Sequence, residues 1–315
     1  MRIALAAVLA VVVAATLVGG TQTRAATTTP LARPQLGVLG DAGRFARLTG
    51  QRSTVRHSFI GWHQPRTIRK LLHNLKPVPM LAIKTGGIVT PLDIAQGRGD
   101  GFLVELNSAL AGFGALVYVR PMPEMNGHWN EYSAYNRDGS HRGRRYSTAA
   151  FKRAFARISL IARGGPAAQL NARLRKLGQP GVPGDLPRTQ ARIVWNPQGF
   201  GSPNVPGNRA NAYYPGDAYV DVVANDLYLQ ASGAAWDANE ALYRSHPRKP
   251  FAIAEWGLWG IDDPAFVERM AAFVQTHPRV ELVAYFDSKP GSTWDLESKP
   301  RSLRAYRRAI TPLGR

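Results

Sequence analysis

The sequence predicts an α/β fold, a single (β/α)8 barrel of the TIM type, and three observations support this. Eight short apolar runs recur along the chain, segments with helical spacing lie between several of them, and two glutamates stand where such runs end. Short apolar strands that alternate with helices indicate a parallel sheet covered on both faces. Eight strands favour closure into a barrel over an open, doubly wound sheet.

The apolar runs are predicted as strands because they are short, continuous and bounded by turn residues. They are Leu36–Leu39, Val55–Trp62, Val78–Ile83, Ala115–Val119, Ala191–Trp195, Val220–Ala224, Phe251–Ala254 and Glu281–Phe286. No internal repeat and no second domain boundary are evident, so residues 34–312 are predicted to form one domain.

Helices are predicted where apolar residues recur at helical spacing. The segments are Thr67–Leu75, Gly101–Ala111, Thr148–Ala162, Pro264–Thr276 and Ser302–Ile310. Asp263 before Pro264 is typical of an N-cap followed by proline at the first helical position, and Ser147 precedes another helix start. Residues 164–189 and 197–216 are rich in Gly and Pro without a periodic pattern, so loops or insertions are predicted there.

The N-terminal segment is typical of a secretory signal. Arg2 is followed by an apolar stretch from Ile3 to Val18 and then by small residues. This stretch is shorter than the ~20 residues that a spanning helix needs, so we expect residues 1–25 to be cleaved. Residues 26–33 are predicted to be a disordered Thr/Pro linker. We therefore expect a secreted, extracellular protein that is monomeric and has no membrane attachment after cleavage.

Composition excludes several kinds of site. The chain has no cysteine, so disulfides, thiolate metal sites and cysteine nucleophiles are excluded. His57, His63 and His73 lack metal-ligand spacing with carboxylates, so no metal site is predicted. The net charge of +19 attracts polyanions, including acidic glycans and cell-wall polymers. Because the basic residues are spread along the chain without a nucleic-acid module, we interpret them as solvated surface with no specific nucleic-acid partner.

Two glutamates are candidate catalytic residues. Glu124 follows the fourth predicted strand, and Glu255 ends the seventh. The C-terminal ends of barrel strands are where barrel enzymes place their chemistry, and a pair of converging carboxylates can cleave a glycosidic bond. The simpler interpretations are a surface loop residue for Glu124 and a salt bridge at the barrel rim for Glu255.

Other polar and aromatic residues lie at the same strand ends. Arg120 and Asn126 flank Glu124, and an arginine can hold either a carboxylate or sugar oxygens in fixed geometry. Trp129 offers a flat apolar face to a pyranose ring. Tyr228 and Trp294 follow neighbouring strands. Together these residues fit a sugar site better than isolated salt bridges.

In this order, the motifs resemble glycoside hydrolase family 26, the β-mannanase family of the retaining (β/α)8 clan. The resemblance rests on residues 120–129, 194–197, 213–228 and 253–257 and on Trp294. It implies Glu124 as acid/base and Glu255 as nucleophile, with Tyr228 beside the nucleophile and Trp129 and Trp294 lining the sugar subsites. We assign Arg120, Asn126 and Trp195 to the same substrate-binding set. No cofactor is implied, because the carboxylates supply acid, base and nucleophile.

The sequence departs from the family pattern at two positions. Pro123 stands where family members usually have histidine, and residues 224–228 read Ala-Asn-Asp-Leu-Tyr where a glycine-rich version is commoner. Mannan is the first expected substrate, with xylan and mixed-linkage glucan as further possibilities. A non-catalytic barrel that binds glycan or cell wall is the alternative from another functional class.

Three expectations follow from the retaining mechanism. The two carboxyls should lie about 5–5.5 Å apart, and Glu124 should have the higher pKa. The Tyr228 hydroxyl should donate to Glu255. A separate hypothesis concerns residues 130–147, where basic side chains gather at the barrel mouth and would attract an acidic glycan, although a solvated basic loop is the simpler interpretation. These side chains are Arg137, His141, Arg142, Arg144 and Arg145.

Overall fold

The computed structural model describes residues 33–314, and its strands form one closed barrel. Each strand pairs in parallel with the next along the chain, and the eighth pairs with the first. The single (β/α)8 barrel predicted from the sequence is thereby confirmed. The predicted signal at residues 1–25 and nearly all of the linker at 26–33 lie outside the described residues.

The strands match the eight predicted runs in number and order. They are β1 (Gln35–Gly40), β2 (Val55–Gly61), β3 (Val78–Lys84), β4 (Val117–Pro121), β5 (Ala191–Trp195), β6 (Val222–Leu229), β7 (Phe251–Leu258) and β8 (Val280–Ser288). Six strands run past their predicted ends, and β6 and β7 extend furthest, so that they include the polar residues Asp226 and Glu255. The polar ends of these strands form part of the barrel mouth.

The five predicted helices are present, together with four that were not predicted. The helices are α1 (Ala42–Thr49), α2 (Ile68–Asn74), α3 (Pro91–Ala95), α4 (Asp100–Phe113), α5 (Thr148–Arg163), α6 (Ala167–Lys176), α7 (Trp236–Ser245), α8 (Pro264–Thr276) and α9 (Pro300–Ala309). The predicted caps are confirmed, because Asp263 accepts a hydrogen bond from the N–H of Ala265 and Ser147 from that of Ala150.

The loop prediction for residues 164–189 was wrong in part, because this segment contains α6. Only Leu170 and Leu174 of that helix are buried, so its apolar pattern is too sparse to stand out. Residues 197–216 hold short 3-10 turns, Pro206–Asn208 and Ala210–Tyr213, and otherwise run as the predicted loop. None of the helices in the described part of the chain combines the length and hydrophobicity that crossing a lipid bilayer requires.

The core has two layers, one inside the barrel and one between the barrel and the helices. Val194 of β5 packs inside, and its neighbour Trp195 packs outside. This alternation follows from the two-residue period of a strand. The interior is tightly filled: a Cβ added to Gly37 would lie 2.9 Å from that of Ala284. Because side chains fill the barrel, a ligand can bind only at one of its two ends.

Candidate active site

A β-bulge aims Glu255 into the mouth of the barrel. The register of β7 shifts against β8 between Ile253 and Trp256, and β6 shifts against it between Asn225 and Asp226. Ala254 therefore lies inside the barrel, while Trp256 packs among the helices. Such a bulge adds one residue to a strand and redirects the side chains that follow. Here it allows Glu255 to reach partners inside the mouth.

Both carboxylate oxygens of Glu255 accept hydrogen bonds. Arg120 Nη1 donates to Oε1 at 2.8 Å, and the Tyr228 hydroxyl donates to Oε2 at 2.8 Å. The side chain is nearly buried, at 6% exposed. A buried carboxylate is tolerable when it is paired with a cation and hydrogen-bonded, and both conditions hold here. The hydrogen bond that we expected between Tyr228 and Glu255 is present.

Arg120 connects three buried groups below the mouth. Besides Glu255, its Nη2 donates to Asp226 Oδ2 at 2.9 Å, and its Nη1 lies 3.0 Å from His57 Nε2. Burial, followed by the charge of Arg120, lowers the pKa of His57 well below its usual value. The imidazole is therefore neutral, and its Nε2 accepts from the guanidinium, which can only donate. Burial raises the pKa of Asp226 well above its usual range.

Glu124 lies in a strained turn immediately after β4. Its backbone φ is 54° and that of Met122 is 47°. Both values lie in the left-handed region, which residues other than glycine rarely adopt. The N–H of Glu124 donates to the carbonyl of Asn196, beyond the end of β5, at 2.6 Å. Strain of this kind persists where the surrounding structure fixes it, and it concentrates at functional sites. The turn brings the side chain of Glu124 over the barrel mouth.

Two N–H groups donate to the carboxyl of Glu124, whose buried position favours its protonated form. Trp129 Nε1 donates to Oε2 at 2.8 Å, and the side-chain amide of Gln198 donates to Oε1. Burial raises the pKa of Glu124, and the negative charge of Glu255 raises it further. The hydrogen bond from Trp129 and the charge of Arg120 act in the opposite direction.

One cavity of about 580 Å³ joins the two glutamates. Aromatic side chains form much of its wall, and three of them are unusually exposed: Trp129 at 49%, Phe200 at 45% and Trp259 at 45%. The ring of Trp294 lies 5.2 Å from that of Trp259. Aromatic faces with a few fixed polar groups are typical of a small-molecule or sugar site. The cavity therefore brings two glutamate carboxyl groups together with exposed aromatic faces.

Comparison with known proteins agrees with this geometry. The profile of Glycosyl hydrolase family 26 matches residues 195–296. The chain is also 24% identical over 285 residues to Endoglucanase H of Acetivibrio thermocellus, covering 84% of this chain and 28% of that protein. Over residues 195–296 the chain is therefore similar to glycosyl hydrolase family 26.

Solved family 26 structures share the fold of this chain. The β-mannanase of Bacteroides ovatus superposes with a TM-score of 0.52 at 16% identity, covering 88% of each chain. The modular endo-β-1,4-mannanase of Cellulomonas fimi gives a TM-score of 0.56 at 15% identity, covering 90% of this chain and 71% of that one. At these low sequence identities, the similarity shows a shared barrel fold and nothing more. Endoglucanase H is much longer than the region it shares with this chain.

Five of the eight predicted site residues line the cavity. They are Glu124, Trp129, Tyr228, Glu255 and Trp294. The assignment of Arg120 to the substrate-binding set was wrong, because Arg120 is fully buried and its guanidinium instead holds the carboxyls of Glu255 and Asp226. The same assignment was wrong for Asn126, which is also fully buried and does not line the cavity. Its amide donates to the carbonyls of Gln198 and Phe200 and accepts from the N–H of Gln198, so it fixes a cleft loop without facing the cleft.

The assignment of Trp195 to the substrate-binding set was wrong. Its side chain is fully buried on the outer face of β5, against the rings of Tyr214 and His246. Strand alternation explains the error, because Val194 points into the barrel and Trp195 must therefore point away. The following residue, Asn196, is buried and supports the carboxyl of Asp226.

The sequence analysis missed several residues of the site. They are His57, Gln198, Phe200, Asp226 and Trp259. Asp226 was detectable, since it lies two positions before Tyr228 on a strand and so shares its face. Gln198 and Phe200 lie in a loop without a pattern, and only the fold shows that this loop borders Glu124.

The basic loop at the barrel mouth is partly structural. Arg142 donates to the carbonyls of Asn130 and His128, and Arg145 pairs with Asp93 at 2.7 Å. Arg137 and Arg144 are exposed and form no ion pair with any residue in the range 33–314. Only these two arginines of the loop are therefore available to an acidic ligand.

Proposed function

We propose that the protein is a retaining glycoside hydrolase that cleaves a β-linked polysaccharide, with Glu255 as nucleophile and Glu124 as acid/base. The observation that supports this best is the contrast between the two carboxyls of one cavity. Glu255 is paired with a guanidinium and a phenol, whereas burial and the charge of Glu255 raise the pKa of Glu124. Two carboxyls whose environments differ in this way suit an acid and a nucleophile.

In the first step the ionised carboxylate of Glu255 attacks the anomeric carbon, and the bond to the leaving oxygen breaks. Glu124 gives its proton to that oxygen, so the departing sugar leaves as an alcohol. Arg120 and Tyr228 keep Glu255 aimed from both of its oxygens. Proton transfer leaves Glu124 ionised, and the N–H groups of Trp129 and Gln198 then stabilise the new charge.

In the second step Glu124 acts as the base. It takes a proton from a water molecule, whose oxygen attacks the anomeric carbon and displaces Glu255 as a carboxylate. Two displacements at one carbon restore the original anomeric configuration. The site returns to its starting state, with Glu124 protonated and Glu255 again paired with Arg120.

Charge in the cavity favours an uncharged sugar chain. Its lining includes three carboxyl groups, Glu124, Asp226 and Glu255, and neither lysine nor arginine. An acidic sugar bound there would meet the negative charge of Glu255 and would find no basic side chain in the lining to pair with. β-Mannan is the first substrate that we propose, because the solved relatives include mannanases. β-Glucan is the second, because the curated relative is an endoglucanase.

A reducing-sugar assay on a panel of β-mannans, β-glucans and xylans tests the proposal. We expect the wild type to act on at least one polymer, with Glu255→Ala and Glu124→Ala reduced to background on natural substrate. Glu268→Ala, which removes a glutamate from an exposed pair on α8, should retain full activity. Equal background release by all proteins on every polymer would indicate a glycan-binding barrel without turnover.

The stereochemical course tests the retaining assignment separately. Proton NMR of the first products distinguishes the two anomers before mutarotation equilibrates them. We expect the β-anomer to appear first. Early accumulation of the α-anomer would show inversion and would exclude Glu255 as a covalent nucleophile.

A further inference from the structure

A second cavity lies at the opposite end of the barrel from the active site. Its volume is about 590 Å³, and its walls come from the N-terminal ends of strands. Ala191 begins β5, Asp221 directly precedes β6, and Pro250 directly precedes β7. The active-site cavity, in contrast, is built at the C-terminal ends of the same strands. We call this second cavity the basal cavity.

Positive charge dominates the basal cavity. Six basic side chains line it: Arg163, Arg173, Arg188, Arg192, Arg248 and Lys249. Two acidic side chains, Asp217 and Asp221, oppose them, so the lining has a net charge of +4. Like charges placed around one cavity repel each other, and an anion bound between them removes that repulsion.

Three of the basic residues are already paired with carboxylates. Arg163 pairs with Asp221 at 2.9 Å, and Arg248 pairs with Asp217 at 3.0 Å. Arg192 pairs with Glu281, outside the lining, at 2.7 Å. The positions of these three basic side chains are therefore explained by ion pairs within the protein.

The other three basic residues have no carboxylate partner within residues 33–314. Lys249 donates to the main-chain carbonyls of Asp217 and Val220. The guanidinium of Arg173 lies over the ring of Tyr219, and Arg188 has a long contact of 3.5 Å with the side chain of Gln169. All three retain unneutralised charge at the cavity wall.

Interaction with a helix end explains the position of only one of these three basic residues. Arg173 lies in the last turn of α6, where a cation interacts favourably with the helix dipole. Arg188 and Lys249 lie in loops before β5 and β7, outside any helix. Their convergence on one cavity therefore calls for a different explanation, and an anionic ligand supplies it.

We propose that the basal cavity binds phosphate groups, of the kind that a phosphodiester polymer presents in series. Guanidinium groups bind phosphate oxygens through paired N–H donors, and lysine adds a point charge. The volume is in the range that holds a ligand well above the size of one phosphate. A solvent-open cavity of this size suits a thin, flexible chain, whereas duplex DNA requires an extended surface. Bound there, the polymer would leave the cleft at the other end of the barrel free.

Titration calorimetry with tripolyphosphate tests the site without relying on hydrolysis, so it is independent of the proposed function. We expect one binding site per chain, with an affinity that falls as salt rises. Arg173→Gln combined with Arg188→Gln should weaken binding by about tenfold or more, since both lost donors are charged. Neither substitution leaves a carboxylate unpaired, so thermal unfolding should be little changed.

The matched control combines Arg52→Gln with Arg304→Gln. Both residues are exposed, form no ion pair among the described residues, and lie away from the basal cavity, so this variant loses the same net charge. It should bind tripolyphosphate as the wild type does. Absence of binding to the wild type, or equal weakening in both double variants, would overturn the proposal.

Competition identifies the source of the phosphate. Poly(glycerol phosphate) that displaces tripolyphosphate would support a phosphodiester polymer as ligand, whereas tripolyphosphate binding without displacement would support a free oligophosphate at the same site. A DNA duplex that competes more strongly than poly(glycerol phosphate), and loses affinity in the Arg173→Gln/Arg188→Gln variant, would overturn the assignment to a thin polymer.

Discussion

The hydroxyl of Tyr228 donates to Oε2 of Glu255 over 2.8 Å, and the two residues lie on adjacent strands, β6 and β7. Burial raises the pKa of Tyr228 well above its usual value, so the phenol remains protonated and remains a donor across the pH range of enzyme assays. Because Arg120 occupies the other oxygen, the direction in which Glu255 points is fixed from two sides. The proposed nucleophile is thus held in position before substrate arrives.

Replacing Tyr228 with phenylalanine should therefore affect chemistry more than folding. We expect kcat to fall by about 10- to 1000-fold, the usual cost of losing one positioned donor in an active site. The ring is kept, so the free energy of unfolding should change by only about 1 kcal/mol. Tyr214→Phe is the control, since that hydroxyl bonds to Asp217 outside the cleft and kcat should not change. A Tyr228→Phe enzyme with wild-type kcat on its best substrate would remove Tyr228 from the mechanism.

Trp129 should influence the pH dependence of activity through its hydrogen bond to Glu124. The Nε1–H group stabilises the ionised carboxylate and so lowers the pKa of Glu124. In Trp129→Phe that stabilisation is lost, the pKa rises, and the general acid stays protonated to higher pH. The alkaline limb of the kcat/KM profile should then move to higher pH.

Trp259→Phe provides the comparison for this shift. Trp259 lines the same cavity, is similarly exposed and makes no hydrogen bond to Glu124. Its replacement should alter KM through weaker stacking and leave the position of the alkaline limb unchanged. Equal shifts in both variants, or a shift of the Trp129→Phe limb to lower pH, would contradict the proposed effect of the indole N–H.

Arg120 should be essential to both stability and activity, because one guanidinium donates hydrogen bonds to two buried carboxyls. A lysine has a single ammonium group and cannot reproduce the fork that reaches Glu255 and Asp226. We expect Arg120→Lys to lower the free energy of unfolding by about 3–5 kcal/mol, as breaking a buried pair does. Activity should be lost with it.

Arg308→Lys is the corresponding change in an exposed pair with Glu268. Exposed pairs contribute about 1 kcal/mol or less, so chemical denaturation should separate the two variants clearly. Similar unfolding midpoints for Arg120→Lys and the wild type would show that the buried pair contributes little to stability.

The fold was predictable because each strand of the barrel is a local apolar run, and local pattern identifies such runs. The position of Glu124 and Glu255 at the barrel mouth was also predictable, since Glu124 follows one apolar run and Glu255 another. The helices α1, α3, α6 and α7 were harder, because they are short or bury few residues.

The direction of each side chain was the least predictable property. Trp195 belongs to a family motif, but its position in β5 turns it outward. Conversely, a bulge that sequence does not reveal turns Glu255 inward. Gln198 meets Glu124 only because two loops separated by β5 converge at the mouth. Composition and spacing identify the residues of such a site, and tertiary structure decides which of them meet.

The basic loop between β4 and α5 gives a last prediction, on encounter rate. Of the arginines in this loop, only Arg137 and Arg144 are exposed and form no ion pair with a described residue, because Arg142 and Arg145 have structural contacts. On a carboxymethylated form of the best polysaccharide, these two charges should raise kcat/KM at low salt. Raising the salt concentration shortens the screening length, which is about 10 Å at 0.1 M and shorter at higher concentrations. The gain in kcat/KM should therefore fade as salt rises, while kcat stays constant.

The variant Arg137→Gln/Arg144→Gln should start with lower kcat/KM on the carboxymethylated polymer and should depend less on salt. On the uncharged parent polymer, wild type and variant should be equal at every salt concentration. Arg52→Gln/Arg304→Gln loses the same net charge away from the mouth and should behave as the wild type. If that control loses the salt dependence equally, the field of the whole protein attracts the polymer, and the loop has no specific part in it. If all three proteins are insensitive to salt on both polymers, the two arginines are ordinary solvated surface.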